Sequence, residues 1–269
     1  MTTTVACVNL KGGVGKTAIA VNFAAYCGRK GMRTLLVDCD PQTNATFSCI
    51  EPEEWGRHAK QYGTIANLLG VRSLTAETKT TDAQTVLKRN VFKNVDLVPS
   101  HIDLFSVDLD LGGAPGRELR LRKALKPVLD QYRIVVCDCP PNLTIPTQNA
   151  VAMSTHYIVP VPPDYLSSIG IALLITRIKE LCESIDHEIE HAAIVISRVG
   201  RKASHRDNIL ATIRQQFGEL VLKTELVERV AVSESAAAQR PVFDMGDDKA
   251  SQEFARMAEE LLTRLKVTP

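Results

Sequence analysis

The run Lys11-Gly-Gly-Val-Gly-Lys16-Thr17 constrains this chain more than any other segment. It lies between an apolar strand pattern at residues 5–9 and a helical pattern over Lys16–Arg29. Glycines let a backbone wrap closely around a phosphate with its N–H groups pointing inward, and the helix that follows adds the partial positive charge of its N-terminus. Lys16 is placed to reach the terminal phosphates, and the Thr17 hydroxyl to coordinate magnesium. The expected contact set is Lys11, Gly12, Gly13, Val14, Gly15, Lys16, Thr17 and Ala18, and the expected ligands are ATP and Mg2+. Lys11 is surplus, because cradling one nucleotide needs one lysine.

A strand–loop–helix unit of this kind requires a frame in which strands alternate with helices. Such a pattern continues along the chain. Strands are expected at Thr34–Asp38, Val95–Val98, Ile134–Asp138, 157–161, 193–197 and, more weakly, 220–226. Several are nearly continuous apolar runs, as in strands covered on both faces. Helices are expected over 116–132, 166–184, 206–217 and 251–265. The segment 51–61 is polar and poorly periodic and reads as a surface loop. The expected fold is a doubly wound, mostly parallel α/β sheet with helices on both faces, as a single domain over residues 1–269.

Charge and cysteine usage narrow the setting. Lys plus Arg number 32 and Asp plus Glu 31, a net charge of +1, so no whole-protein field draws in nucleic acid or anionic lipid. Any such binding needs a local patch. Seven cysteines are an odd number in a chain of 269 residues, which suggests a reduced, cytosolic setting with cysteines used for packing. No apolar run has transmembrane length, and no signal-peptide pattern opens the chain.

Two strands end in acid. Thr34–Asp38 runs into Asp38-Cys-Asp40-Pro-Gln-Thr-Asn-Ala-Thr46. Carboxylates at the carboxyl end of a parallel strand beside a phosphate loop lie where ligands bind in this architecture. Asp38 and Asp40, two apart on an extended segment, point the same way, and either can orient water or magnesium. Ile134–Asp138 is an apolar strand ending in Asp138, placed to hold a magnesium-bound water.

KGGVGKT resembles the deviant phosphate loop of the ParA/MinD family, and the Asp38–Thr46 run resembles its ParA branch. The resemblance covers nearly the whole chain. It implies that Lys11 reaches across a homodimer interface to the partner's ATP, joining Lys16 and Asp40 in catalysis. It also implies that Asp40 positions the attacking water and helps order the metal with Thr17 and Asp138, while Asp38 supports the site. Pro140-Pro141-Asn142 resembles the segment that senses the terminal phosphate. The stretch 227–243 resembles the adenine-side loop and next helix, with Arg229 near the base. Two departures stand out: Ala18 where a second Thr is common, and Glu228 where Pro is usual. With the phosphate loop at residue 11, no helix-turn-helix domain is expected ahead of it.

The family's activity implies a weak ATPase whose ATP-bound dimer binds DNA without sequence preference and is released when a ParB-like adaptor stimulates hydrolysis. Its expected setting is cytoplasmic and nucleoid-associated. The basic run supplies Arg198, Arg201, Lys202 and Arg206 as expected DNA contacts, with Arg214 and Arg240 further on. The rival reading is a MinD-like, membrane-associated positioning ATPase. The carboxyl-terminal pattern carries Glu259 and Glu260 and no aromatic anchor, so no membrane partner is expected. A third class, iron–sulfur or biosynthetic relatives, needs cysteine arrangements that Cys137 and Cys139 do not match.

Overall fold

In a computed structural model, residues 2–71, 82–164, 167–200 and 204–268 are described. Arg201, Lys202 and Leu166 lie outside them. Eight strands, β1 (Thr3–Cys7), β2 (Thr34–Asp38), β3 (Lys88–Phe92), β4 (Val95–Val98), β5 (Ile134–Asp138), β6 (His156–Val161), β7 (Glu190–Val199) and β8 (Val221–Val227), form one sheet in the order β3-β4-β2-β5-β1-β6-β7-β8. Every neighbouring pair is parallel except β3 with β4. The apolar runs of β2, β4 and β5 are buried along their whole length, as strands covered on both faces must be.

Helices cover both faces. In chain order they are α1 (Lys16–Arg29), α2 (Asn44–Phe47), α3 (Pro52–Tyr62), α4 (Ile65–Leu69), α5 (Ala83–Val86) and α6 (Val107–Leu111). They continue with α7 (Arg120–Leu129), α8 (Ile145–Met153), α9 (Ser167–Ser184), α10 (Ser204–Phe217), α11 (Val230–Ala237) and α12 (Asp248–Arg264). One apolar layer joins Leu121 and Leu125 of α7 to Val135 and Cys137 of β5. The other joins Phe23 of α1 and Phe254, Met257 and Leu261 of α12 to Leu36 and Val136. All seven cysteines are buried and unbridged, divided between these layers, in keeping with a packing role.

Three local expectations need correction, and one strand was not anticipated. Residues 51–61 are not a loop: they fall almost wholly within α3, which buries only His58 and Ala59 and half-buries Trp55. The helix is mostly polar, and only a narrow stripe of Trp55, Ala59 and Tyr62 carries its helical spacing. The 116–132 helix is shorter: a 3-10 turn at Arg117–Leu119 precedes α7. β3 escaped notice because it is an edge strand of mixed residues, turned back onto β4 through Asn94 at φ 59°. The carboxyl-terminal helix begins earlier than residue 251, because the Asp247 side chain accepts from the N–H groups of Lys249 and Ala250.

One buried side chain links the sheet to pH. His191 pairs with Tyr157 across β6 and β7, and the rings stack at 4.5 Å and 11°. Its Nε2 is buried without a partner, and burial pushes its pKa down to about 4. An unfolded histidine titrates near 6.5, so the stability contributed by the neutral ring is fully present above that pH and is lost as pH falls toward 4. Urea unfolding at a series of pH values checks this. His191→Phe, which keeps the stacking, should flatten the curve between pH 6.5 and 4 by up to roughly 3 kcal/mol relative to the parent.

Candidate functional site

The parallel register brings three strand ends abreast. Cys7 of β1 and Asp38 of β2 both pair with Asp138 of β5. The loops leaving β1 and β2 therefore open side by side above Asp138. They form one wall of a cleft of about 1000 Å3, whose other wall is the segment around Leu226–Arg240.

The glycine-rich loop is shaped from outside. Gly13 and Gly15 stand at φ 71° and 87°, where a Cβ would be strained, and Gly15 caps α1. Ser197 Oγ donates to the Val14 carbonyl at 2.7 Å, and Arg198 Nη1 to the Gly13 carbonyl at 2.5 Å. The first turn of α1 carries no acid, so its positive end is left for an anion. Lys16 is buried, with Nζ 3.0 Å from the Lys11 carbonyl. The loop thus offers a lysine, N–H groups and a helix terminus, the chemistry of a polyphosphate cradle. Thr17 and Ala18 line the cleft beyond it.

The acids divide their roles. Asp38 is fully buried and accepts from Thr46 N at 2.8 Å, Thr46 Oγ1 at 2.7 Å and Asp40 N at 3.1 Å. Burial outweighs these bonds and raises its pKa to about 7. Asp38 is therefore an internal brace, and the expectation that it points the same way as Asp40 does not hold. Asp40 lines the cleft and accepts from Gln42 N at 2.9 Å. Its carbonyl is tethered by Ser100 Oγ at 2.6 Å. Burial raises its pKa, against the opposing pull of Gln42 N–H and Lys16.

Asp138 is also fully buried, with the Thr17 hydroxyl beside its carboxylate and no other hydrogen-bond partner among the described residues. Burial first and the Asp38 carboxylate second push its pKa well above the usual range, while Thr17 and Lys16 oppose them. An orphaned buried carboxylate beside a hydroxyl, with Asp40 across the cleft, fits a magnesium ion. Thr17, Asp40 and Asp138 are the residues that would hold it directly or through water.

The remaining expected residues lie as follows. Lys11 Nζ forms an ion pair with Asp164 at the start of the loop. Pro141 packs beside Gly12. Arg229 and Arg240 line the cleft, with the Arg229 guanidinium paired to Glu253. Arg198 lines the cleft too and is paired to Glu228. Arg206 lies beside Gly200, close to the site. Arg214 is turned onto the Leu222 carbonyl and Glu225. Sequence reasoning missed Ser197, Ser100 and Glu253. Ser197, at the carboxyl end of a parallel strand, carried the same positional signal as Asp138.

Two substitutions test the site. Lys16→Ala should weaken ATP binding more than about 100-fold, since a charged hydrogen-bonding partner is lost. Asp138→Asn replaces a carboxyl group whose charged form the interior disfavours, so the protein without nucleotide should melt about 2–4 °C higher. Its further stabilisation by ATP with magnesium should shrink. Thermal melts with and without ligand measure both.

The family model described as an AAA domain matches residues 2–191. The chromosome partitioning protein ParA of Caulobacter vibrioides is 30% identical over 263 residues, covering 96% of this chain and 93% of the relative. The cell division protein PomZ of Myxococcus xanthus is 30% identical over 261 residues, covering 96% and 77%. A solved structure of cobyrinic acid a,c-diamide synthase from Mycobacterium smegmatis, holding an ATP analogue and magnesium, superposes with a TM-score of 0.79 at 25% identity, over 99% of this chain and 96% of that one. With a family match over residues 2–191 and relatives that span nearly its whole length, the chain belongs to the ParA-type partition ATPases of the AAA-domain family.

Proposed function

We propose that this ATPase alternates between an ATP-bound homodimer that holds DNA without sequence preference and a released state produced by hydrolysis, with an adaptor protein setting the pace. Lys16, the loop N–H groups and the α1 terminus hold the triphosphate, and Asp40 orients the attacking water. Magnesium, when bound, neutralises charge on the terminal phosphates. Of the described cations lining the cleft, Lys16, Arg198 and Arg229 are committed to loop or ion-pair contacts, which leaves Arg240. Slow basal turnover and dependence on a partner fit that arrangement.

The observation that carries the dimer is the position of Lys11. Its carbonyl serves its own loop by receiving Lys16 Nζ, while its side chain faces outward, 57% exposed, to Asp164. That amine takes no part in its own cleft and is placed to serve a second copy. Size-exclusion chromatography with a nonhydrolysable ATP analogue checks this. Lys11→Ala should bind nucleotide within about threefold of the parent yet remain monomeric, because only an exposed pair is removed from its own subunit. A normal dimer in the variant would return Lys11 to an ordinary surface lysine.

A DNA-holding rather than membrane-holding reading is favoured by α12. Its apolar face, including Phe254, Met257, Leu261 and Leu262, is spent in the core against the sheet and α1. None of the described helices is long and apolar enough to cross a membrane. The expected DNA contacts Arg201 and Lys202 lie outside the described residues, and Arg206 falls in the first turn of α10. Two copies of that cluster in a dimer double the phosphate contacts. Charge reversal of Arg201 and Lys202 to Glu should weaken binding to every duplex alike, flatten its salt dependence, and spare ATP hydrolysis without partner. Fluorescence anisotropy with ATP, with ADP and at rising salt measures it. Attachment to anionic vesicles in place of DNA would favour the membrane branch.

A further inference from the structure

Arg198 belongs by sequence to the basic run ending at Arg206, yet its side chain turns into the cleft. It sits near the end of β7 at φ 52°, a left-handed conformation that an arginine adopts only when its surroundings impose it. Its guanidinium is divided between two partners. Nη1 donates to the Gly13 carbonyl at 2.5 Å. Nε donates to Glu228 Oε1 at 3.0 Å, and Nη2 joins the same oxygen. Glu228 is anchored in turn, its N–H donating to the Val199 carbonyl at 3.1 Å.

A peptide plane fixes what these contacts do. The Gly13 carbonyl and the Val14 N–H share one plane and point in opposite directions. The Val14 carbonyl, held by Ser197 Oγ, stands in the same relation to the Gly15 N–H. Two consecutive residues of β7 thus fix two consecutive loop carbonyls, and with them the orientation of the Val14 and Gly15 N–H groups that share their peptide planes. In a glycine-rich loop those planes turn easily, so an external hold is needed to preset them. Glu228 keeps the half-exposed Arg198 fork from swinging into solvent and ties the base side of the cleft to its phosphate side.

We propose that Arg198, steadied by Glu228, is a positioning residue that presets the phosphate loop for the triphosphate, an inference that rests on the ATPase reading above. The interaction acts on the bound ground state and the transition state alike. Its loss therefore shows in KM rather than in kcat.

Steady-state ATP hydrolysis, titration of a fluorescent ATP analogue and thermal melts test it on the full chain. Arg198→Ala should raise KM and the analogue's Kd about tenfold with kcat changed less than about twofold, as expected for one lost charged hydrogen bond. Arg198→Lys should recover only part of the loss, because an ammonium cannot span Gly13 and Glu228 as a fork does. Glu228→Ala should fall between parent and Arg198→Ala, and Glu228→Gln, which still accepts from Nε, nearer the parent. Unchanged KM and Kd in Arg198→Ala would overturn the proposal, as would parallel loss of kcat and melting temperature. So would normal nucleotide binding with lost DNA binding, which would return Arg198 to the DNA surface. If the parent itself binds no ATP, the ATPase reading falls first and this one with it.

Discussion

The pairing of Cys7 and Asp38 with Asp138 places two carboxylates in the interior of the sheet, a short distance from Lys16. Most of the site's behaviour depends on that placement. An ionised carboxylate without partners is strongly disfavoured in an apolar interior, so it must find donors, take up a proton or hold a cation. Asp38 finds donors, three of them, and becomes part of the scaffold. Asp138 has only the Thr17 hydroxyl and nearby Lys16 set against its burial, so its charged form stays disfavoured. A buried charge of this kind weakens the fold taken alone. It makes sense where a cation and a polyanion complete the arrangement.

Asp40 is held by structure that comes from further away. Its carbonyl receives Ser100 Oγ, Ser100 N in turn donates to Thr46 Oγ1, and Thr46 donates to Asp38. Trp55 of α3 donates to the Ser100 carbonyl at 3.0 Å and stacks on His101. The segment that carries Asp40 is thereby braced by a helix with little apolar surface of its own. Its worth lies in a few directed contacts rather than in area.

That distinction explains what the chain revealed before its fold was known. The phosphate loop and Asp138 were legible because local chemistry and a strand end suffice to identify them. The central strands were legible as apolar runs. Helix α3 was not, since His58 and Ala59 are its only buried residues and periodicity reports burial. The different fates of Asp38 and Asp40 were hidden because Thr46 and Ser100 decide them, one of them 60 residues from Asp40. Arg198 was misleading for the same reason. Its neighbours in sequence are basic, but its partners are Gly13 and Glu228, 185 and 30 residues away.

The two ion pairs at opposite ends of the cleft show which side chains are free to change partners. Lys11 and Asp164 are 57% and 33% exposed, and a pair in that setting contributes only about 0.2–1 kcal/mol. Lys11 can therefore leave Asp164 at little cost, as the proposed contact with a second subunit requires. Arg229 and Glu253 are 23% and 11% exposed, and Glu253 also accepts from Val227 N. Breaking that pair strands a buried carboxylate, which is far more expensive than releasing an exposed one. The Arg229 guanidinium is therefore held as a wall of the cleft rather than left free to change partners.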